Sequence, residues 1–144
     1  MRFKSMIISV VIFTFCGGNA FAQNATTSLK VNIEGIENHQ GQILGTLCKK
    51  EEFLKTKCEY SSMLKLGANQ ENILVFENVV LGEYALQVFH DINGDFKLKT
   101  NIMGIPTEPF AFSNNAKAMF GPPKFEQAAF DVKPASVISI SFEQ

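Results

Sequence analysis

Apolar and polar residues alternate in several short segments of this chain, which is the pattern of β-strands that bury one face. Leu29, Val31 and Ile33 form the first alternating set, and the second lies in Gln42–Cys48. Residues 35–41 contain the turn-forming residues between the two segments. These two strands are therefore predicted to pair as a hairpin.

Five further segments have strand character, and residues 78–82 are predicted to turn the chain between two of them. The segments are residues 60–66, residues 73–76, the set Tyr84, Leu86 and Val88, the set Ala128, Phe130 and Val132, and the set Ile138, Ile140 and Phe142. Residues 49–57 alone have helical character, and they are too few to form a stable helix by themselves.

Short strands separated by turns, with almost no helix, are typical of all-β domains. About seven strands predict an antiparallel β-sandwich of immunoglobulin-like or transthyretin-like type, with a small closed β-barrel as the alternative. Gly82 before Tyr84 at the start of a core strand suits a tyrosine corner, in which the hydroxyl folds back to nearby backbone. A large strand residue without such a bond is the other interpretation of Tyr84.

The first 22 residues have the three parts of a secretory signal peptide. Arg2 and Lys4 are basic, residues 6–15 are mostly apolar, and small residues lead up to Ala22. The apolar run is shorter than the roughly 20 residues that span a bilayer. We therefore expect cleavage after Ala22 and not a retained membrane anchor.

Cleavage after Ala22 would leave 122 of the 144 residues as one domain, residues 23–144, with an adequate core. That domain keeps 11 of the 13 basic residues and all 14 acidic ones. So nearly neutral a chain has no electrostatic footprint for nucleic acid, and nucleic acid is not an expected partner. The expected location is the periplasm or the cell exterior, with no membrane span in the mature chain.

Two cysteines, Cys48 and Cys58, would remain after cleavage. An even count in an oxidising compartment favours a disulfide, and two cysteines allow only one pairing. Closing this loop would contribute about 2.8 kcal/mol by the chain-entropy relation. A metal site is the competing interpretation, but neither His39 nor His90 stands at a ligand spacing from the pair.

Residues 90–123 form a connection longer than the ~12–15 residues beyond which loops tend to be functional or disordered. Four prolines stiffen this segment. Its aromatic residues are Phe96, Phe110, Phe112 and Phe120, and most are expected to pack down onto the sandwich. A long end loop of this kind is suited to recognition of a protein, a peptide or a carbohydrate.

Four short motifs stand out between residues 90 and 115. They are His90-Asp91, Asn93-Gly94, the Gly-Ile-Pro-Thr-Glu of residues 104–108 and the Phe-Ser-Asn-Asn of residues 112–115. Together they resemble the bacterial domain of unknown function 2141 family, which implies a signal peptide followed by one β-sandwich domain and supplies no activity. The chain departs from the family pattern at Phe96 and Ala111, where glycine is usual or frequent, and at Lys99, where aspartate is frequent.

Asp91, Asn93 and Asp95 have the alternating spacing of a calcium loop, in which oxygen ligands surround a hard cation. Phe96 and Ile102 stand where an EF-hand loop needs glycine and a bidentate glutamate. We therefore favour an Asx-rich turn whose side chains cap backbone amides, and calcium is the alternative.

His90 follows the core face of its strand, where a histidine is more often structural than catalytic. A small hydrolase that uses His90 and Asp91 would need a nucleophile, and Ser113 is the hydroxyl considered for that role. The chain contains neither a nucleophile-elbow motif nor a metalloprotease motif. No catalytic residue is assigned, and an enzyme is the less favoured class.

The sequence thus predicts an exported binding or accessory module that needs no cofactor, with a calcium-stabilised module as the alternative. The candidate binding residues are His90, Asp91, Asn93, Glu108, Phe112, Ser113, Asn114 and Asn115.

Overall fold

The computed structural model describes residues 24–55, 57–68, 70–117 and 121–142, so the predicted signal peptide, its cleavage site and Phe120 lie outside the described residues. Eight β-strands occur within these ranges. They are β1 Thr26–Glu34, β2 Gln42–Cys48, β3 Tyr60–Lys65, β4 Ile73–Val80, β5 Gly82–Asp91, β6 Phe110–Phe112, β7 Ala129–Val132 and β8 Val137–Ser141. A 3₁₀ helix, Ser113–Asn115, and a short helix α1, Phe125–Ala128, lie between β6 and β7.

The strands form two sheets that face each other. The smaller sheet has the order β4-β1-β8, and the larger has the order β3-β2-β5-β6, with β7 also pairing with β5. β1 and β8 are parallel, and the other strand pairs are antiparallel. The sheets do not close on each other, so the predicted β-sandwich is confirmed and the barrel alternative is wrong.

The predicted hairpin of β1 and β2 is wrong, because these strands lie in different sheets. β1 pairs with β4 and β8, whereas β2 pairs with β3 and β5. Residues 35–41 therefore cross the roughly 10 Å between two facing sheets. Both strands bury alternate residues in the same core, so alternation alone does not distinguish a hairpin from a crossing.

The main core lies between the two sheets. The smaller sheet contributes Leu29, Val31, Ile33, Leu74, Phe76 and Ile140, and the larger contributes Ile43, Leu47, Tyr84, Leu86 and Val88. Gly45 faces the same core from β2, where a Cβ atom would lie 2.4 Å from the Leu74 side chain. Glycine at this position thus lets the two sheets approach closely.

The chain reverses between β4 and β5 over fewer residues than predicted. β4 extends to Val80, and the irregularity at Asn78, with φ +56°, is a bulge where one extra residue of β4 faces β1. The Tyr84 hydroxyl donates to the Val80 carbonyl at 3.0 Å, which confirms the tyrosine corner. Burial raises the pKa of the Tyr84 hydroxyl well above its usual range.

The Cys48–Cys58 disulfide is confirmed, with the two Cα atoms 4.8 Å apart. In the part of residues 49–57 that the structure describes, the chain forms turns instead of a helix, and the Phe53 N–H donates to the Lys49 carbonyl at 3.0 Å. The Phe53 ring packs edge-on against Phe112, with centroids 5.8 Å apart. The bridged segment therefore lies over the outer face of the larger sheet.

Candidate functional site

β5 ends at Asp91, and the carboxylate of this residue organises the loop that follows. Its Oδ1 accepts hydrogen bonds from the N–H groups of Gly94 at 2.8 Å and Asp95 at 3.1 Å. Its Oδ2 accepts from the Phe96 N–H at 2.9 Å and from the Gln42 amide at 2.8 Å. The residue is 0% exposed. Each oxygen thus caps two donors of the chain, which is the favoured Asx-turn arrangement.

The charge on Asp91 is stabilised by these donors. Burial by itself would raise the pKa of the carboxyl, but the Gln42 hydrogen bond and the three backbone hydrogen bonds outweigh it. The pKa of Asp91 therefore lies below its usual range, and the group is ionised at neutral pH.

Glu108 caps the opposite side of the same loop. This buried residue accepts a hydrogen bond from the Ile92 N–H on Oε1 at 3.1 Å and from the Lys99 N–H on Oε2 at 2.9 Å. The His90 N–H donates to the Pro109 carbonyl at 2.8 Å, so the end of the loop also meets β5. Two buried carboxylates therefore order a loop that lacks long strands.

Residues 99–107 fold into a small hairpin within this loop. The Asn101 N–H donates to the Ile105 carbonyl at 2.8 Å. The Asn101 side-chain oxygen accepts from the N–H groups of Met103 at 2.9 Å and Ile105 at 3.0 Å. Ile102, at the tip, is fully exposed, with a relative exposure of 104%.

The other two predicted calcium ligands are turn residues on the surface. The Asn93 amide donates to Asp95 Oδ2 at 2.9 Å, and the Lys97 N–H donates to Asp95 Oδ1 at 2.9 Å. No group of three or more His, Cys, Asp or Glu residues that could hold a metal occurs among the residues with described positions. Calcium binding stays a prediction, which unfolding of Asp91→Ala in calcium and in EDTA would test.

His90 points into the sandwich, away from the loop. Its ring stacks on Phe142 with centroids 6.3 Å apart. Its Nε2 lies 2.7 Å from the Gln40 carbonyl oxygen. Because a carbonyl oxygen only accepts, Nε2 carries the proton and donates.

Ser113 completes the edge of the larger sheet. Along β5, the pairing with β7 ends at Ala85 and the pairing with β6 begins at Gln87. Leu86 therefore lies between the two edge strands. The Leu86 N–H donates to Ser113 Oγ at 2.9 Å, and that hydroxyl donates in turn to the Ala128 carbonyl. The serine side chain therefore replaces a backbone partner where one edge strand gives way to the next.

Asn114 and Asn115 also bind backbone groups. Both have positive φ, 57° and 48°, a conformation that asparagine tolerates better than most residues. The Asn114 amide donates to the Ala129 carbonyl at 2.8 Å. Asn115 Oδ1 accepts from the Ser141 N–H at 3.0 Å, which links the edges of the two sheets. Phe112 is buried as well, so all four residues of the Phe-Ser-Asn-Asn run have structural roles.

A groove of about 940 Å³ lies on the outer face of the larger sheet. Leu44 and Phe89 are direct partners across β2 and β5, and Phe110 is the partner of Phe89 on β6. These three residues form an apolar row that lines the groove. Its volume is within the range of about 300–1,000 Å³ that is typical of small-molecule sites.

The walls of the groove come from the two segments that lie over this sheet. The long loop contributes Phe96, Leu98, Ile105 and other residues between positions 96 and 106. The disulfide-bridged segment contributes Leu54 and Lys55. Phe96 stands out in the sequence as one of the loop aromatics, but the groove itself does not, because its floor consists of strand residues that alternation assigns to solvent.

These observations define a class of protein: a two-sheet β-sandwich with a groove that an ordered loop borders on one sheet. The family model described as "Uncharacterized protein conserved in bacteria (DUF2141)" matches residues 31–139, and the chain belongs to this family. No curated protein and no solved structure matches the chain. Among the described residues, no helix is long and apolar enough to cross a membrane.

Proposed function

We propose that this protein is an exported binding module that holds a largely apolar ligand in the groove on the larger sheet. The groove itself is the main support for this proposal. Its floor is a row of hydrophobic strand residues, and an ordered loop forms one wall. Ligand sites of this kind are concave, mostly apolar and largely preformed.

The conformation of Phe96 supports this proposal. Its φ of +62° is in the left-handed region, which costs a residue with a side chain roughly 1–2 kcal/mol. Phe96 is 63% exposed, so the free energy of burying its ring within the protein does little to offset that strain. Strained residues of this kind tend to occur at functional positions. Contact with a ligand would account for an aromatic residue where the family usually has glycine.

The positions of the histidine and the serine support binding over hydrolysis. Ser113 Oγ is buried and bonded to the backbone of β5 and α1. The His90 ring donates to the Gln40 carbonyl in the core. Both candidate catalytic groups therefore have structural partners.

Export is supported by two independent features. The first 22 residues have the pattern of a secretory signal. The Cys48–Cys58 bridge belongs to a class of bond that persists in oxidising compartments. The periplasm or the cell exterior is therefore the proposed location.

Titration with the neutral fluorescent probe N-phenylnaphthylamine tests the groove. The wild-type protein should enhance the fluorescence of the probe, and Phe96→Gly should bind it about fivefold more weakly because part of one wall is lost. The melting temperature of Phe96→Gly should stay close to that of the wild type, since glycine relieves the strain at this φ.

Val137→Ala is the matched control, because Val137 is an exposed hydrophobic residue on β8 that does not line the groove. This variant should bind the probe as the wild type does. Absence of any probe binding, or equal binding by Phe96→Gly and the wild type, would overturn the proposal.

A further inference from the structure

Among the described residues that line the groove, the charged ones are two lysines, Lys55 and Lys97. Lys55 comes from the disulfide-bridged segment and Lys97 from the long loop, so each wall contributes one. The whole chain, in contrast, has a formal net charge of −1. The formal charge of the groove lining is therefore positive, whereas that of the whole chain is negative.

Neither ammonium group is in a salt bridge within the described part of the chain. The ion pairs found there join Lys49 to Glu59 and Lys50 to Glu126. An ammonium group that has no carboxylate partner offers three donors to an incoming anion.

The other described residues of the lining are apolar or carry uncharged polar side chains. Leu44, Phe89 and Phe110 lie along the floor, and Leu98 and Ile105 belong to the loop wall. Binding of a hydrocarbon chain to such a surface is favourable, because it removes apolar area of both partners from water. The lining thus combines an apolar surface with two cationic side chains.

We propose that the ligand is an amphipathic anion, an alkyl chain that ends in a carboxylate. The chain would lie along the apolar row, and the carboxylate would be held by the ammonium groups of Lys55 and Lys97. This inference rests on the proposed function and adds the chemical class of the ligand to it.

Displacement of N-phenylnaphthylamine by dodecanoate and by uncharged dodecanol tests this assignment. Dodecanoate should bind the wild type about fivefold to tenfold more tightly than the double variant Lys55→Gln/Lys97→Gln, as expected for two partly exposed ion pairs. Dodecanol should bind both proteins equally. Raising the salt to about 0.5 M should weaken binding of dodecanoate alone, because salt screens exposed charges.

The matched control is Lys117→Gln/Lys133→Gln, which removes the same charge from exposed lysines outside the groove. This variant should retain the wild-type affinity for dodecanoate. Equal affinities of the wild type for dodecanoate and dodecanol, or an unchanged affinity in the Lys55/Lys97 variant, would overturn the assignment and leave the proposed function intact. Failure of the probe itself to bind would overturn both.

Discussion

Two neighbouring residues at the end of β5, His90 and Asp91, send their side chains to opposite faces of the larger sheet. The His90 ring stacks on Phe142 in the core, and the Asp91 carboxylate caps the loop outside it. This follows from the twofold periodicity of a strand. A His-Asp pair that looks catalytic in the sequence therefore has two unrelated structural roles.

Gly41 lies beside the backbone of Asp91 and constrains the start of the same loop. It has φ +76°, and a Cβ atom there would lie 2.2 Å from the Asp91 carbonyl oxygen. Gly41 is predicted as a turn residue, but glycine is also required there because the backbone of β5 passes directly beside it. The start of the loop is therefore fixed by the Asp91 side chain and by the absence of one at position 41.

Asp91→Ala should lower the free energy of unfolding by about 2–3 kcal/mol, because it removes a charged acceptor and leaves backbone amides without partners. The loss should be the same in excess calcium and in EDTA. Urea unfolding of both proteins measures it, and exposed Asp131→Ala is the control, expected to change stability by less than about 0.5 kcal/mol.

Calcium ligation would give a different result in this experiment. The wild type would then gain about 2.7 kcal/mol at a hundredfold excess of calcium over its dissociation constant, and Asp91→Ala would gain nothing. The capping role would be contradicted by that outcome.

The lowered pKa of Asp91 adds a dependence on pH. A carboxyl whose pKa is lower in the folded state stabilises the fold above its unfolded pKa of about 3.9, and the contribution is lost as pH falls through the folded value. The stability difference between the wild type and Asp91→Asn should therefore be constant near neutral pH and shrink in acid below about pH 4.

At the scale of the elements, β5 is the strand on which the larger sheet depends. It pairs along one side with β2, and along the other with β7 at its beginning and β6 near its end. Ser113 lies where these two short edge strands meet β5. Two strands of three and four residues can thus act as one edge because a side chain bridges the gap.

Ser113→Ala should lower the free energy of unfolding by about 1–3 kcal/mol, since it leaves the buried Leu86 N–H without its acceptor. Exposed Ser61→Ala, on β3, is the control and should have little effect. Chemical denaturation measures both. Unchanged stability in Ser113→Ala together with loss of a hydrolase activity would instead favour the catalytic interpretation.

Much of the strand content could be predicted because burial of one face leaves a period of two in the sequence. β2 has the predicted bounds, and the predicted set at Leu29, Val31 and Ile33 lies inside β1. β6 was missed because three residues are too few to show a period. The pairing of β1 was mistaken because the choice of sheet depends on partners far away in the chain.

Part of the candidate site could be predicted from the sequence, and part could not. The cap at Asp91 could be predicted, because an Asx turn involves residues close in sequence. The groove could not, because its floor depends on which residues of β2, β5 and β6 stand side by side. Leu44 and Phe89 occupy positions that alternation assigns to solvent, and only the strand register shows that they form a row.

At the scale of the whole molecule, the two faces of the larger sheet have different environments. The inner face packs against the smaller sheet in the main core. The outer face is covered at one end by a second apolar cluster that includes Ala85, Phe112, Phe125 and Ala128. The groove lies beside this cluster on the same face. The sandwich therefore presents a preformed apolar surface without opening its core.

The exported protein should begin at Gln23. Removal of the first 22 residues is expected because the small residues before this point suit a signal peptidase. Intact mass of material recovered outside the cytoplasm measures the start of the chain. A mass that still includes residues 1–22 would contradict the prediction, and a cytoplasmic form made without export provides the reference mass.

The disulfide ties down one wall of the groove. Cys48 and Cys58 bracket the segment that carries Leu54 and Lys55 to the side of the groove. While both residues are still thiols, the covalent tie of this wall is missing, and Leu54 and Lys55 are less constrained. If the chain is exported as proposed, its thiols are oxidised only after it leaves the cytoplasm, and the bridge would then hold this wall of the groove in the compartment where the ligand is met.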